Sequence, residues 1–402
     1  MDSEFTTIGQ RYGLQRENFI LDPLKDTACF ARDDIKTQAI AESLDIDLVT
    51  GLAPKRLVWG PYGGGKTHTL MRTMQELQQL TPIHPVRIEC PDLSKKSRFH
   101  DLYREGIMRG LGQDFIIGLI EDAVQSVEWA RRDELAVSPE KSMAARSAGG
   151  IRIALLSSLK AKFDDEEVAK AAIRIIDPNF DPLRLWRWIS GVAMSRQDLD
   201  DLSQTQDLTQ TEAARLAEII CLFGRLLREI RHQTLVLVLD EMERLVSIGP
   251  ETITTFVSGF TRLVDPNQTF VSVLIGASAK LESEMVEVFS PNGPVISRIG
   301  ADAQIEIPFL DDPDVNNFIK KIIDYVRDHA ADINSLISAA SRTVHDEPID
   351  PDFFPFTEGA IDALKSHLTQ IMTPREITLK MTRALGRAHR ANRLAITSDC
   401  IT

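Results

Sequence analysis

Lys66 and Thr67 close the run Gly60-Pro61-Tyr62-Gly63-Gly64-Gly65-Lys66-Thr67, and Asp240-Glu241 closes the apolar run Leu235–Leu239. The first run fits G-x-x-x-x-G-K-[ST], a glycine-rich turn whose backbone N–H groups point inward at an anion. It follows the apolar stretch Leu57-Val58-Trp59 and precedes a helical pattern from Thr67 to Leu80, so the anion would sit at a helix N-terminus. In that arrangement Lys66 bridges the β- and γ-phosphates of a nucleoside triphosphate, and the Thr67 hydroxyl sits on Mg²⁺. Gly60, Pro61, Tyr62, Gly63, Gly64, Gly65, Lys66, Thr67 and His68 are the expected nucleotide contacts. Five consecutive apolar residues before Asp240 predict a strand buried on both faces. The acidic pair falls at its carboxyl end, where open α/β sheets bind ligands. Asp240 would hold the metal through water, while Glu241 would orient and deprotonate the attacking water. A pure nucleotide binder does not need that second carboxylate, so the pair predicts hydrolysis of ATP.

Further strand candidates are Arg56–Trp59, Val86–Cys90, Phe270–Gly276 and Ala303–Ile307. Short apolar strands alternating with helices predict an α/β fold, with a parallel P-loop NTPase sheet sandwiched by helices. Periodicity through Ile35, Ala39, Ile40 and Leu44 predicts a helix over Cys29–Leu44. From about Leu102 to Ile230 the pattern is helical, broken by Pro139, Asp177-Pro178, Asp181-Pro182 and the polar run Ser203–Thr211. About 170 residues thus separate the glycine-rich turn from the acidic strand, more than a compact core needs. The expected organisation is an irregular arm over 1–27, a nucleotide-binding core over 28–310 and a helical lid over 311–402. The core is interrupted by a helical insertion at about 102–230.

Hydrophobic residues make up 43% of the 402 and charged residues 26%, which is enough for a packed core and excludes wholesale disorder. The net charge of −13 argues against a general electrostatic grip on DNA or anionic membrane, while leaving room for a local basic surface. Cys29, Cys90, Cys221 and Cys400 are far apart and share no metal-ligand spacing, which predicts free thiols in a reducing compartment. Met-Asp-Ser-Glu at the start lacks an apolar signal core, and the runs Thr234–Leu239 and Phe270–Ala277 are too short to span a bilayer. A cytoplasmic protein with no membrane partner is expected. The eight histidines form no H-x-x-x-H arrangement, so metal chemistry beyond Mg²⁺ is not predicted.

The glycine-rich turn and the acidic strand together read as Walker A and Walker B motifs. On them the chain resembles the AAA+ P-loop ATPases, and within these the origin-recognition and initiator-like branch. The resemblance covers most of the chain apart from the insertion. Phe30-Ala31-Arg32-Asp33-Asp34 is similar to that family's F-x-G-R-E segment, which packs near the adenine, with Ala31 and Asp33 as departures. Ser278 is similar in position to the sensor-1 residue, which contacts the γ-phosphate or the attacking water. Val295-Ile296-Ser297-Arg298-Ile299 looks like the S-R segment, which implies that Arg298 reaches the γ-phosphate of a neighbouring subunit. Thr373-Pro374-Arg375-Glu376-Ile377 resembles the sensor-2 opening of a lid helix, which implies that Arg375 touches the nucleotide from the lid.

The resemblance further implies ATP and Mg²⁺ as cofactors, a homo-oligomeric ring or filament, and a protein effector as partner. It points to a motor or switch acting on DNA or on that effector, in mobile-element or phage-defence biology. The alternative is a slow-turnover signal-transduction switch or scaffold that senses a protein ligand. Members of the initiator branch continue into a winged-helix domain, whereas this chain stops soon after the expected lid helix Glu376–Leu394. The basic loop Lys95-Lys96-Ser97-Arg98 and the arginines Arg383, Arg387, Arg390 and Arg393 are candidate nucleic-acid contacts or solvated, internally paired surface. Leu185-Trp186-Arg187-Trp188-Ile189 reads as core of the insertion or as a partner-facing hot spot.

Overall fold

The computed structural model describes residues 7–29, 34–137, 148–247, 250–279, 293–344, 347–368 and 372–401. Its centre is one parallel sheet of five strands in the order β2-β3-β4-β1-β5. The strands are β1 (Lys55–Gly60), β2 (Ile83–Glu89), β3 (Thr234–Asp240), β4 (Val271–Ser278) and β5 (Gln304–Glu306). Every residue of β3 is buried. Its side chains alternate between faces, as the pleat requires. Val236 and Val238 join one apolar cluster, and Leu235, Leu237 and Leu239 join another. β2 starts at Ile83, earlier than the apolar run suggests, and contains Pro85. As an edge strand paired only with β3 it tolerates the missing N–H.

Helices α1 (Asp34–Val49) and α2 (Lys66–Leu80) cover the Val236 face. The expected helix over Cys29–Leu44 is shifted in the chain: Ala41, Leu44 and Leu48 continue the buried stripe one turn further. Residues 30–33, which carry most of the Phe30–Asp34 segment, lie outside the described residues. The opposite face carries the helices between β2 and β3. Its long helices α3 (Gln113–Val137), α4 (Ala148–Phe163) and α5 (Ala213–Arg231), with α6 (Pro250–Leu263), share one continuous apolar cluster with the sheet. Trp188 is buried in this cluster, its indole N–H donating to the Gln206 carbonyl at 3.1 Å, and Trp186 packs against it. The Leu185–Ile189 run is therefore core.

After β4 come the short α7 (Ile296–Ile299) and β5, then α8 (Asp312–Val326), α9 (Glu358–Ser366) and α10 (Pro374–Arg390). The last three form a second apolar cluster, which also takes in Tyr12, Leu14 and Phe19 from the start of the chain. The Tyr12 hydroxyl donates to the Arg393 carbonyl at 3.0 Å, and Phe19 N–H donates to Thr382 Oγ1 at 3.0 Å. α10 starts earlier than expected because the Thr373 hydroxyl caps Glu376 N–H with Pro374 in the first turn. It ends at Arg390, and Asn392 just beyond adopts a positive φ. Arg393 pairs with Asp399, and Arg387 donates to the Cys400 carbonyl at 2.9 Å, so this part of the arginine stripe is used in local pairing near the end of the described chain. The four cysteines are free. Among the described residues no helix is long and apolar enough to cross a membrane.

Candidate active site

Parallel pairing brings the carboxyl ends of β1, β3 and β4 to one edge of the sheet. Gly60 lies opposite Ser278, and Asp240 lies opposite Glu89. A cleft of about 400 Å³ opens above this edge. It is lined by Tyr62 through Thr69, by Asp240, Glu241 and Glu243, by Ser278, and by Arg375 and Thr378 from α10. Ile20, Leu21, Pro23 and Phe318 supply an apolar wall. Nearly all of the residue types that the sequence marks for phosphate chemistry thus share one cavity.

The glycine-rich turn has little freedom in its composition. A Cβ on Gly60 would lie 2.2 Å from the carbonyl oxygen of Ile307, the residue just after β5, so the chain there packs too closely for any side chain. Gly63 has φ +76, and a Cβ there would meet Arg375 Cβ at 2.9 Å. The start of α10 therefore rests directly on the turn. Arg375 lies over the Tyr62 ring with its guanidinium carbon 4.8 Å from the centroid, and donates to the Tyr62 hydroxyl.

Lys66 is buried and donates to the carbonyls of Pro61 at 2.9 Å and Gly60 at 3.2 Å. Burial lowers its pKa, and the opposing field comes first from Glu243, then from Asp240 and Glu241. Thr67 Oγ1 donates to Asp240 Oδ1 at 3.1 Å. The same oxygen accepts the Glu241 N–H at 3.0 Å, and Arg87 on β2 donates to Oδ2 at 3.0 Å. A hydroxyl and a buried carboxylate at hydrogen-bond distance form the all-oxygen donor set that Mg²⁺ prefers, so the residues fit that ion. His68 also lines the cleft, but its Nε2–H donates to the Asp26 carbonyl at 2.9 Å. It ties the N-terminal segment to α2, and burial lowers its pKa.

The three acidic groups behave differently. Glu241 adopts a positive φ of 57°. Its carboxylate is paired with Arg244, which also reaches Glu89 at 3.1 Å and the Cys90 carbonyl at 2.6 Å. Burial raises the Glu241 pKa, and Arg244 opposes the rise. Glu243 instead accepts from Ser278 twice, from Oγ at 2.6 Å and from the backbone N–H at 3.0 Å. Ser278 thus faces a carboxylate at the position where the family resemblance puts a phosphate-sensing side chain. Arg298 is not part of this cleft. It is exposed on α7, where its guanidinium donates to the Pro294 carbonyl at 2.9 Å.

Glu243, Arg87, Arg244 and the apolar wall escape sequence reading. The one signal in the chain is the spacing Asp240-Glu241-Met242-Glu243, which places acids of equal type two residues apart. The Lys95–Arg98 loop lies away from the cleft, and Arg98 is used to hold Gln210 Oε1 at 2.9 Å.

No protein-family model matches the chain, and no curated protein does. Among solved structures, the chain is similar to the ORC1 protein of Aeropyrum pernix in complex with DNA, at 12% identity and a TM-score of 0.46. That likeness covers 94% of this chain and 66% of the other. The Walker-type ATPase of Pyrococcus abyssi is similar at 11% identity and a TM-score of 0.43, covering 95% of this chain and 74% of that one. Cdc6p from Pyrobaculum aerophilum is similar at 14% identity and a TM-score of 0.38, covering 91% of this chain and 68% of that one. The chain spans about two thirds of the length of the first of these.

Proposed function

We propose that this chain is an Mg²⁺-dependent ATPase of the AAA+ type that couples its nucleotide state to lid position and to self-assembly. The observation that carries the reading is the 3.1 Å contact between Thr67 and Asp240, which joins the glycine-rich turn to a carboxylate 173 residues later. Two motifs read separately in the sequence meet there at one cleft.

In the proposed mechanism Lys66 leaves its carbonyl partners for the β- and γ-phosphates, whose negative charge favours its ammonium form. Thr67 and Asp240 would hold Mg²⁺, which would supply neutralisation of the developing phosphate charge. A carboxylate from the acidic turn after β3 orients the attacking water and takes its proton. Ile20, Leu21, Pro23 and Phe318 would shield the base end of the nucleotide. Arg375 would exchange Tyr62 for a phosphate, so that ATP clamps lid to core. Arg298 is exposed, as a finger reaching into a neighbouring subunit needs to be. Such trans completion makes turnover depend on protein concentration. DNA or an effector protein is the proposed object of the cycle. A slow switch is the second reading, favoured by the pairing of Glu241 with Arg244.

ATP turnover of the wild type, Lys66→Ala and Arg298→Ala across protein concentration, with and without duplex DNA, tests this. Turnover that rises with concentration and vanishes in Lys66→Ala is expected, with loss of the concentration dependence in Arg298→Ala. Wild-type turnover undiminished by Lys66→Ala would overturn the reading.

A further inference from the structure

Two glutamates follow Asp240 into the cleft, and their surroundings separate their roles. Glu241 is drawn toward Arg244, which lies in a nest of other acceptors: Glu89, the Cys90 carbonyl and Asp92 at 3.5 Å. A carboxylate ion-paired in this way is aimed at a guanidinium. Glu243 lies two residues further on, in the 3₁₀ segment Met242–Ser247, and is aimed across the top of the sheet at the end of β4. Ser278 is the residue paired with Gly60, so this contact stands beside the first glycine of the phosphate-binding turn. Each Glu243 oxygen takes one hydrogen bond from Ser278 and keeps a lone pair. The carboxylate is thus immobilised without being neutralised.

We propose that Glu243, clamped by Ser278, is the carboxylate that orients and deprotonates the attacking water, and that Glu241 is held out of that role by Arg244. The inference rests on the ATPase reading above and names the catalytic group within it. Water oxygen bonds to the γ-phosphorus, the bond from that phosphorus to the β,γ-bridging oxygen breaks, and ADP carries the electron pair away. The water proton passes to Glu243 and then to solvent. Ser278 acts through Glu243 and is a positioning residue.

The test compares wild type, Glu243→Gln, Glu241→Gln, Ser278→Ala and the Glu243→Gln/Ser278→Ala pair. The readouts are single-turnover hydrolysis and binding of MgATP and MgADP. Glu243→Gln should lose about a hundredfold or more in turnover. It should also keep MgATP binding and favour ATP over ADP more than wild type does, because a negative charge near the γ-phosphate is gone. Glu241→Gln should lose about tenfold or less. Ser278→Ala should lower turnover with binding intact, and in the double variant should add nothing, because a positioning residue acts only through its partner. Unchanged thermal midpoints separate these effects from misfolding. Hydrolysis abolished in Glu241→Gln but intact in Glu243→Gln would overturn this assignment alone. A wild type that binds ATP without hydrolysing it would overturn the ATPase reading together with the assignment.

Discussion

Arg87 reaches Asp240 diagonally from the neighbouring strand, since its own partner in register is Val238. Asp240 is almost fully buried, and its carboxylate is held by Arg87 on one oxygen and by Thr67 and the Glu241 N–H on the other. A buried charge deprived of its partner keeps its desolvation cost, and this cost outweighs the value of the pair itself. Arg87→Ala should therefore lower the unfolding free energy by about 1–3 kcal/mol in urea titrations. The same substitution on an Asp240→Asn background should cost clearly less, and equal losses on both backgrounds would refute the coupling. The sequence marks Asp240 because residue type and strand end together carry its chemistry. It does not mark Arg87, because one arginine in a strand reads as any exposed charge until the strand order is known.

At the scale of elements, buried strands announce themselves as continuous apolar runs, and β1, β3 and β4 lie within two residues of their expected limits. What that reading leaves out is a lysine inside the sheet. Lys55 opens β1 and is buried, its ammonium donating to the Gln268 carbonyl at 2.6 Å. Burial lowers its pKa to about 8 from an ordinary 10.5. Between those values the unfolded chain holds a proton that the folded chain has released, so stability should rise with pH across the window. The Lys55→Met variant lacks this term. The thermal midpoint of the wild type should therefore climb relative to Lys55→Met from about pH 8 upward. Parallel curves would show that Lys55 stays charged. The N-terminal segment is harder to read than any strand. Ile20, Leu21 and Pro23 have no period, and only tertiary contact gives them a place in the cleft wall.

At the scale of the whole molecule, that segment is organised by Asp26. Its carboxylate accepts from both Arg16 Nη atoms at 2.9 and 2.6 Å, from Tyr325 at 3.0 Å and from the Asp22 N–H at 2.8 Å. Hydrogen bonds from Arg16 foremost lower its pKa to about 2. A depressed carboxylate stabilises the fold above its unfolded pKa and loses that contribution as pH falls through the folded one. Arg16 is partly exposed, so Arg16→Ala should cost only about 1 kcal/mol at neutral pH. That deficit should fade in acid between about pH 4 and pH 2. Urea midpoints at both ends of the window check it, and a deficit unchanged at pH 2 would show that Asp26 is not its source.

The contact between Tyr12 and Arg393 spans 381 positions of sequence. During synthesis the segment carrying Tyr12, Leu14 and Phe19 emerges long before α10, so three large side chains wait in solvent without their partners. The sheet and the insertion can condense first, since β1 to β5 are complete by Glu306. Folding then finishes by capture of this earlier-made segment by the later-made helix, a long-range closure that slows the final step. A ribosome stalled before Arg390 would carry a finished sheet with the glycine-rich turn formed but uncovered, and its protease-sensitive stretch would lie at residues 7–27, made long before the helix that covers it.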